Sequence, residues 1–136
     1  MKKFVTLLLC MLPISLFAQV NDGIRQAMDN YDYETVVMLI ESDCQDSLLL
    51  ITKAQALKAM NRYPEAIGVL NSLILKDSTN TKVLIDLAEC YKLTGNSRRA
   101  ANCYQKAMNL QPENKFFRLQ FIRSCLLYTS DAADDL

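Results

Sequence analysis

The sequence contains no histidine and no tryptophan, and only three glycines and three prolines in 136 residues. Without histidine there is no imidazole general base, no Ser-His or Cys-His nucleophile pair and no imidazole metal ligand. Gly23, Gly68 and Gly95 stand too far apart for a GxGxxG turn or a P-loop phosphate cradle. An excess of charge is also missing: Lys+Arg 15 balance Asp+Glu 15. A neutral chain lacks the concentrated positive field that nucleic acid or an anionic membrane surface requires, so neither is an expected partner. Asp22, Asp29 and Asp32 do not follow the D-x-D-x-D-G order of a calcium loop, and no two of the five cysteines make a CxxC pair. The expectation from these absences is a non-enzyme that needs neither cofactor nor metal.

What is present is ordinary for a folded chain: 51% hydrophobic and 22% charged residues, enough to build one small packed domain. The two ends read differently from the middle. Residues 1–18, MKKFVTLLLCMLPISLFA, run from Lys2-Lys3 through an apolar stretch broken by Pro13 to Ala18. That is the order of a secretory signal peptide, and it is too short for a bilayer span of about 20 residues. The expectation is export to the periplasm, the envelope or the medium, cleavage after Ala18, and no membrane span in the mature chain. Residues 125–134, CLLYTSDAAD, are what the codons TGT CTC TTA TAC ACA TCT GAC GCT GCC GAC encode, which resembles a transposase adapter used in sequencing libraries. Residues 125–136 are therefore expected to be a non-native tail, with the natural chain continuing past Ser124.

Between the ends the sequence repeats. Leu50 and Leu84, Ala54 and Ala88, Lys58 and Lys92, Ala66 and Ala100, and Asn80 and Asn114 are each 34 positions apart. Within the second unit, Val83, Leu84, Leu87, Ala88 and Tyr91 recur at helical spacing until Thr94-Gly95-Asn96 interrupts them. Gly95 suits the left-handed residue that closes a helix. Ala100, Cys103, Tyr104, Ala107 and Leu110 line a second helix, which Pro112 stops. Small Ala88 and Ala100 allow two antiparallel helices to approach, with Leu87, Tyr91 and Tyr104 filling the space around them. Cys90 and Cys103 fall on opposite helices of this hairpin; buried thiols or a bridge are both compatible with the spacing.

Leu84-x2-Leu87-Ala88-x2-Tyr91, followed by Ala100-x3-Tyr104, Ala107 and Pro112, resembles the tetratricopeptide repeat pattern W-x2-L-G-x2-Y…A-x3-F…P. The unit 47–80 follows it with Leu50, Ala54, Leu57, Ala66 and Leu70, departing at Lys53 and Ser78, where the family has an apolar residue and a proline. Residues 21–46 resemble a partial repeat with a first helix over 22–29, a second opened by Tyr33, and a shortened connection at 42–46. Residues 115–124 open one more repeat, and the apolar face of Phe117, Phe121 and Ile122 is expected to be exposed for want of a partner helix. The resemblance implies an all-α, right-handed superhelical α-solenoid of antiparallel helix hairpins across 21–124.

The resemblance also implies where a partner would sit, on the first helices of the repeats: Leu48, Ile51, Gln55 and Lys58, then Lys82, Ile85, Glu89 and Lys92. Their i, i+3, i+7, i+10 spacing places each set on one helical face. A concave groove of this mixed character suits a protein or peptide partner. Thr52 and Asp86 stand where a carboxylate clamp of this family would need Asn or Arg, so that subtype is not expected. Arg98-Arg99 read as solvated surface, and Tyr33 as packing, since Tyr63 holds the equivalent position. The expected function is a non-catalytic, exported binding scaffold. Two alternatives stay open at this point: the repeat arm of a longer enzyme or sensor, and a self-associating envelope element.

Overall fold

The computed structural model describes residues 18–41 and 44–134. Among them there are only helices: α1 over 18–29, α2 Tyr33–Leu39, α3 Ser47–Ala59, α4 Tyr63–Lys76, α5 Thr81–Leu93, α6 Ser97–Leu110 and α7 Lys115–Asp134. From α2 onward each packs on its neighbour in the chain, giving an all-α solenoid of antiparallel hairpins. Ala54, Ala66, Ala88 and Ala100 are buried at the hairpin crossings, and Leu57, Leu70, Leu87 and Tyr104 fill the space these small residues leave. Full burial of one such leucine contributes about 1.5–3 kcal/mol.

The helix boundaries follow from side chains that satisfy orphan backbone groups. Asp46 Oδ1 accepts from the Leu48 and Leu49 amides (2.8 and 3.4 Å), Asn80 Oδ1 from Val83 (3.2 Å), Asn96 Oδ1 from Arg99 (3.2 Å) and Asn114 Oδ1 from Phe116 (3.1 Å). The repeated asparagine at 80 and 114 thus marks the same event, the start of a first helix. The hairpin turns also share one geometry. The amides of Asp32, Arg62 and Asn96 donate back to the carbonyls of Ala27, Leu57 and Tyr91 (2.8, 2.9 and 2.7 Å). Each turn then needs a left-handed residue, and Tyr31 (φ 59°), Asn61 (φ 60°) and Gly95 (φ 77°) supply it.

Gly95 and Asn61 are residue types that tolerate this conformation, whereas Tyr31 is strained and 77% exposed. Tyr31→Gly is expected to stabilise the fold by about 1 kcal/mol, read as a rise of a few degrees in thermal midpoint. The substitution gives up an edge-on contact with Tyr33, at 6.3 Å between centroids. A lowered midpoint would refute the left-handed turn at 31.

Four expectations are corrected. The first helix is already formed at residue 18 rather than 22. Residues 1–17 of the expected signal peptide lie outside the described residues, as do 42–43. The connection after α2 is not shortened: it occupies 40–46, against 77–80 and 111–114 in the later units, and the helix itself is short, 7 residues where α4 and α6 have 14. Lys53 explains the early stop, since its ammonium donates to the Ile40 carbonyl at 2.8 Å and satisfies the end of α2. Ser78 does not weaken its unit, because Asp77 Oδ1 accepts from the Thr79 amide (3.0 Å) and hydroxyl (2.7 Å), a side-chain turn that takes over from proline. These bonds hold the Asp77 carboxyl below its usual range. Finally, Phe117 is buried against Leu84 and Ala107, and Phe121 packs on the main core. Of the three apolar residues only Ile122 remains exposed, at 49%. A first helix buries its third and seventh positions on the hairpin before it; only the fourth and eighth, Arg118 and Ile122, face the place of its own partner.

Candidate partner-binding groove

The first helices α3, α5 and α7 carry equivalent residues at intervals of 34, and four rows cross them. Leu48, Lys82 and Phe116 form one row; Ile51, Ile85 and Leu119 the next; then Gln55, Glu89 and Arg123; then Lys58, Lys92 and Leu126. Leu48 is 71% exposed, and Phe116 and Leu119 are about half exposed. Ile51 and Ile85 are half-buried, lying on the core with one edge open. Lys82 and Lys92 are exposed. The sequence reading stopped at α5 and missed Phe116, Leu119 and Arg123, although adding one period to Lys82, Ile85 and Glu89 finds all three.

Two residues of the expected set meet directly. Lys58 Nζ donates to Glu89 Oε2 at 3.0 Å and to Asp86 Oδ1 at 2.5 Å, tying α3 to α5 on this face. Lys58 and Asp86 keep only 21% and 18% of their side-chain surface exposed. Partial burial pulls the Lys58 ammonium down, but the hydrogen bonds and charges of Asp86 and Glu89 outweigh it and hold the group above the usual lysine range. Asp86 is therefore an occupied anion, and the Thr52 hydroxyl donates to the Leu48 carbonyl at 3.0 Å. Neither position is available to hold a carboxylate.

Groups behind the groove are chemically quiet. Cys44, Cys90, Cys103 and Cys125 are free thiols, and burial pushes Cys90 and Cys103 above the usual thiol range. Tyr104 is pushed up to about 12 by burial and by the Glu89 charge. Arg98 and Arg99 are exposed, and the Arg99 guanidinium lies 5.6 Å over the Tyr91 ring. Tyr33 packs with Ile24, Val36 and Ile40 in the first hairpin. A separate open depression of about 660 Å³ lies where the short α2 leaves α3 and α4 uncovered, floored by Leu50, Leu57 and Val69 beside Gly68. Among the described residues no three His, Cys, Asp or Glu side chains converge as a metal set, and no helix is long and apolar enough to cross a membrane.

Residues 57–120 match the family model described as tetratricopeptide repeat. The chain is 34% identical over 86 residues to a DnaJ homolog subfamily C member 7 homolog from Dictyostelium discoideum, covering 62% of this chain and 16% of that protein. It thus spans only a small part of that relative's length. In three dimensions it resembles the TPR2B domain of yeast Sti1, in complex with pHsp70, at a TM-score of 0.66 and 17% identity, over 80% of this chain and 95% of that one. It likewise resembles the Yersinia enterocolitica type III secretion chaperone SycD, in complex with a peptide of the translocator YopD. There the TM-score is 0.63 and the identity 17%, over 90% of this chain and 96% of that one. Likeness at these identities establishes the fold, and the residues expected to carry the repeat signature, Leu84, Leu87, Ala88, Tyr91, Gly95, Ala100, Tyr104, Ala107 and Pro112, fall within the matched span. Residues 57–120 thus match the tetratricopeptide repeat pattern, and the described helices share the fold of tetratricopeptide repeat domains.

Proposed function

We propose that the chain is a non-catalytic scaffold that holds an extended segment of another protein across α3, α5 and α7. The observation that carries this is the row Ile51, Ile85 and Leu119. Three apolar side chains stay partly open at one register on successive helices, where a soluble surface would favour polar residues. Their core-facing neighbours fix the helices, so the row presents a preformed surface and binding orders only the ligand. The yeast domain in its pHsp70 complex and the Yersinia chaperone with its translocator peptide support the reading by analogy of fold. The sequence offers no histidine as a general base, which favours binding over reaction.

Panning a library of unstructured peptides against the full chain is expected to return binders that share apolar anchors. Leu119→Lys, at a half-exposed position, is expected to weaken them about tenfold or more without changing the helical circular dichroism signal. Binders that ignore Leu119→Lys and Leu48→Lys alike would move the site elsewhere. The same proposal places the scaffold outside the cytoplasm, and rests there only on the Lys2-Lys3, apolar, Ala18 order. Recovery of the uncleaved chain from the cytoplasmic fraction would end that part.

A further inference from the structure

The net charge of the chain is zero, but the groove does not share that balance. Its two acids on α5, Asp86 and Glu89, are both held by Lys58. Lys82 and Lys92 on α5 and Arg123 on α7 are exposed and take part in none of the ion pairs seen, which join Lys58 to Asp86 and Glu89 and Arg62 to Glu34 and Glu65. The cluster, one ammonium with two carboxylates, carries −1; the three cations, which form no ion pair among the described residues, carry +3. The α5–α7 half of the groove is therefore positive while its floor, Ile85, Phe116 and Leu119, is apolar. Resting on the peptide-binding reading above, we propose that this half selects segments in which acidic side chains alternate with apolar ones.

Geometry sets the spacing of such a segment. Packed helices lie about 8–10 Å apart, and an extended chain advances about 3.3 Å per residue. With α5 and α7 meeting through Leu84 and Phe117, a spacing at the upper end of that range lets an extended strand bring roughly every third residue over Ile85 and then Leu119. The residues between can reach Lys82, Lys92 and Arg123 on either side of that row. Solvent-exposed charges of this kind act mainly through association and selectivity, so their effect must fade with salt.

The test uses three synthetic peptides of about twelve residues with leucine at every third position and Glu, Ser or Lys elsewhere, titrated into the full chain by fluorescence anisotropy. At low salt the Glu peptide is expected to bind about fivefold tighter than the Ser peptide and at least about thirtyfold tighter than the Lys peptide, the gap narrowing at high salt. The double substitution Lys82→Glu with Lys92→Glu, at two exposed positions, is expected to invert the order. Equal binding of all three peptides, tightest binding of the Lys peptide, or an unchanged order in the double variant would overturn the charge selectivity and leave peptide binding standing. Failure of all three peptides to bind would overturn both.

Discussion

Leu84→Ala is expected to cost about 2–5 kcal/mol and to lower the thermal midpoint by at least about 10 °C. Leu84 is 1% exposed and lies with Ala107 and Phe117 in a small core at the junction of α5, α6 and α7. Ala107 offers only a methyl group and Phe117 is fixed from α7, so the partly buried Ile74, Ile85 and Met108 can fill only part of the gap. The damage should be uneven. Among the described residues no second helix packs on the outer face of α7, so this junction and the nearby Phe121 contact hold it. Amide exchange in α7 is expected to rise more than in the α3–α4 hairpin, and Phe116 and Leu119 would lose their fixed position in the groove. Ile122→Ala, at a residue 49% exposed, is the control and should change stability by less than about 0.5 kcal/mol. Equal losses for the two substitutions would mean that α7 is not packed as described.

Fold and groove differ in how openly the sequence displays them. The hairpins are legible because their causes are local: alanines at crossings, asparagines at helix starts, Gly95 at a left-handed turn and Pro112 just past the end of α6. Lys53 and Ser78 read as defects when compared with a pattern, yet each replaces a lost feature by another bond. Those bonds join Lys53 to a carbonyl 13 residues away and Asp77 to Thr79, and a family pattern encodes neither. Phe117 and Phe121 misled for a geometric reason. Helical spacing groups them with Ile122, but the preceding hairpin already covers their side of α7.

The candidate groove is readable in the sequence as positions at one helical register, and its pairings are not. Nothing in a list of Lys58, Glu89 and Asp86 says that one cation takes both acids, because the residues lie 28 and 31 positions apart on different helices. That pairing changes the character of the surface. An apparent mixture of charges becomes one satisfied cluster beside three cations that form no ion pair among the described residues, and stacking, rather than composition, decides which side chains the proposed ligand would meet.

Lys58 consequently supports the fold and the groove together, and its removal is the second large effect. Lys58→Met keeps the aliphatic bulk and leaves the Asp86 and Glu89 carboxylates partly desolvated beside each other. The expected cost is roughly 2–3 kcal/mol, the range for charge-assisted hydrogen bonds lost from a partly buried site. Adding Asp86→Asn and Glu89→Gln to Lys58→Met should recover most of it, and that recovery separates charge burial from lost packing. The pH dependence has a fixed sign. The folded pKa of Lys58 is raised, so its contribution is complete below the unfolded lysine value of about 10.4 and is lost as pH rises through the folded value. Wild-type and Lys58→Met stabilities are therefore expected to differ by a constant amount from neutrality to about pH 10 and to converge above it. Tyr104, pushed up to about 12, destabilises both proteins over the same alkaline range, and because the Lys58 charge lowers that pKa its contribution cancels only in part. A gap that persists undiminished at high pH would assign the loss to packing of the lysine stem rather than to its charge, and the account of an electrostatic tie between α3 and α5 would fail.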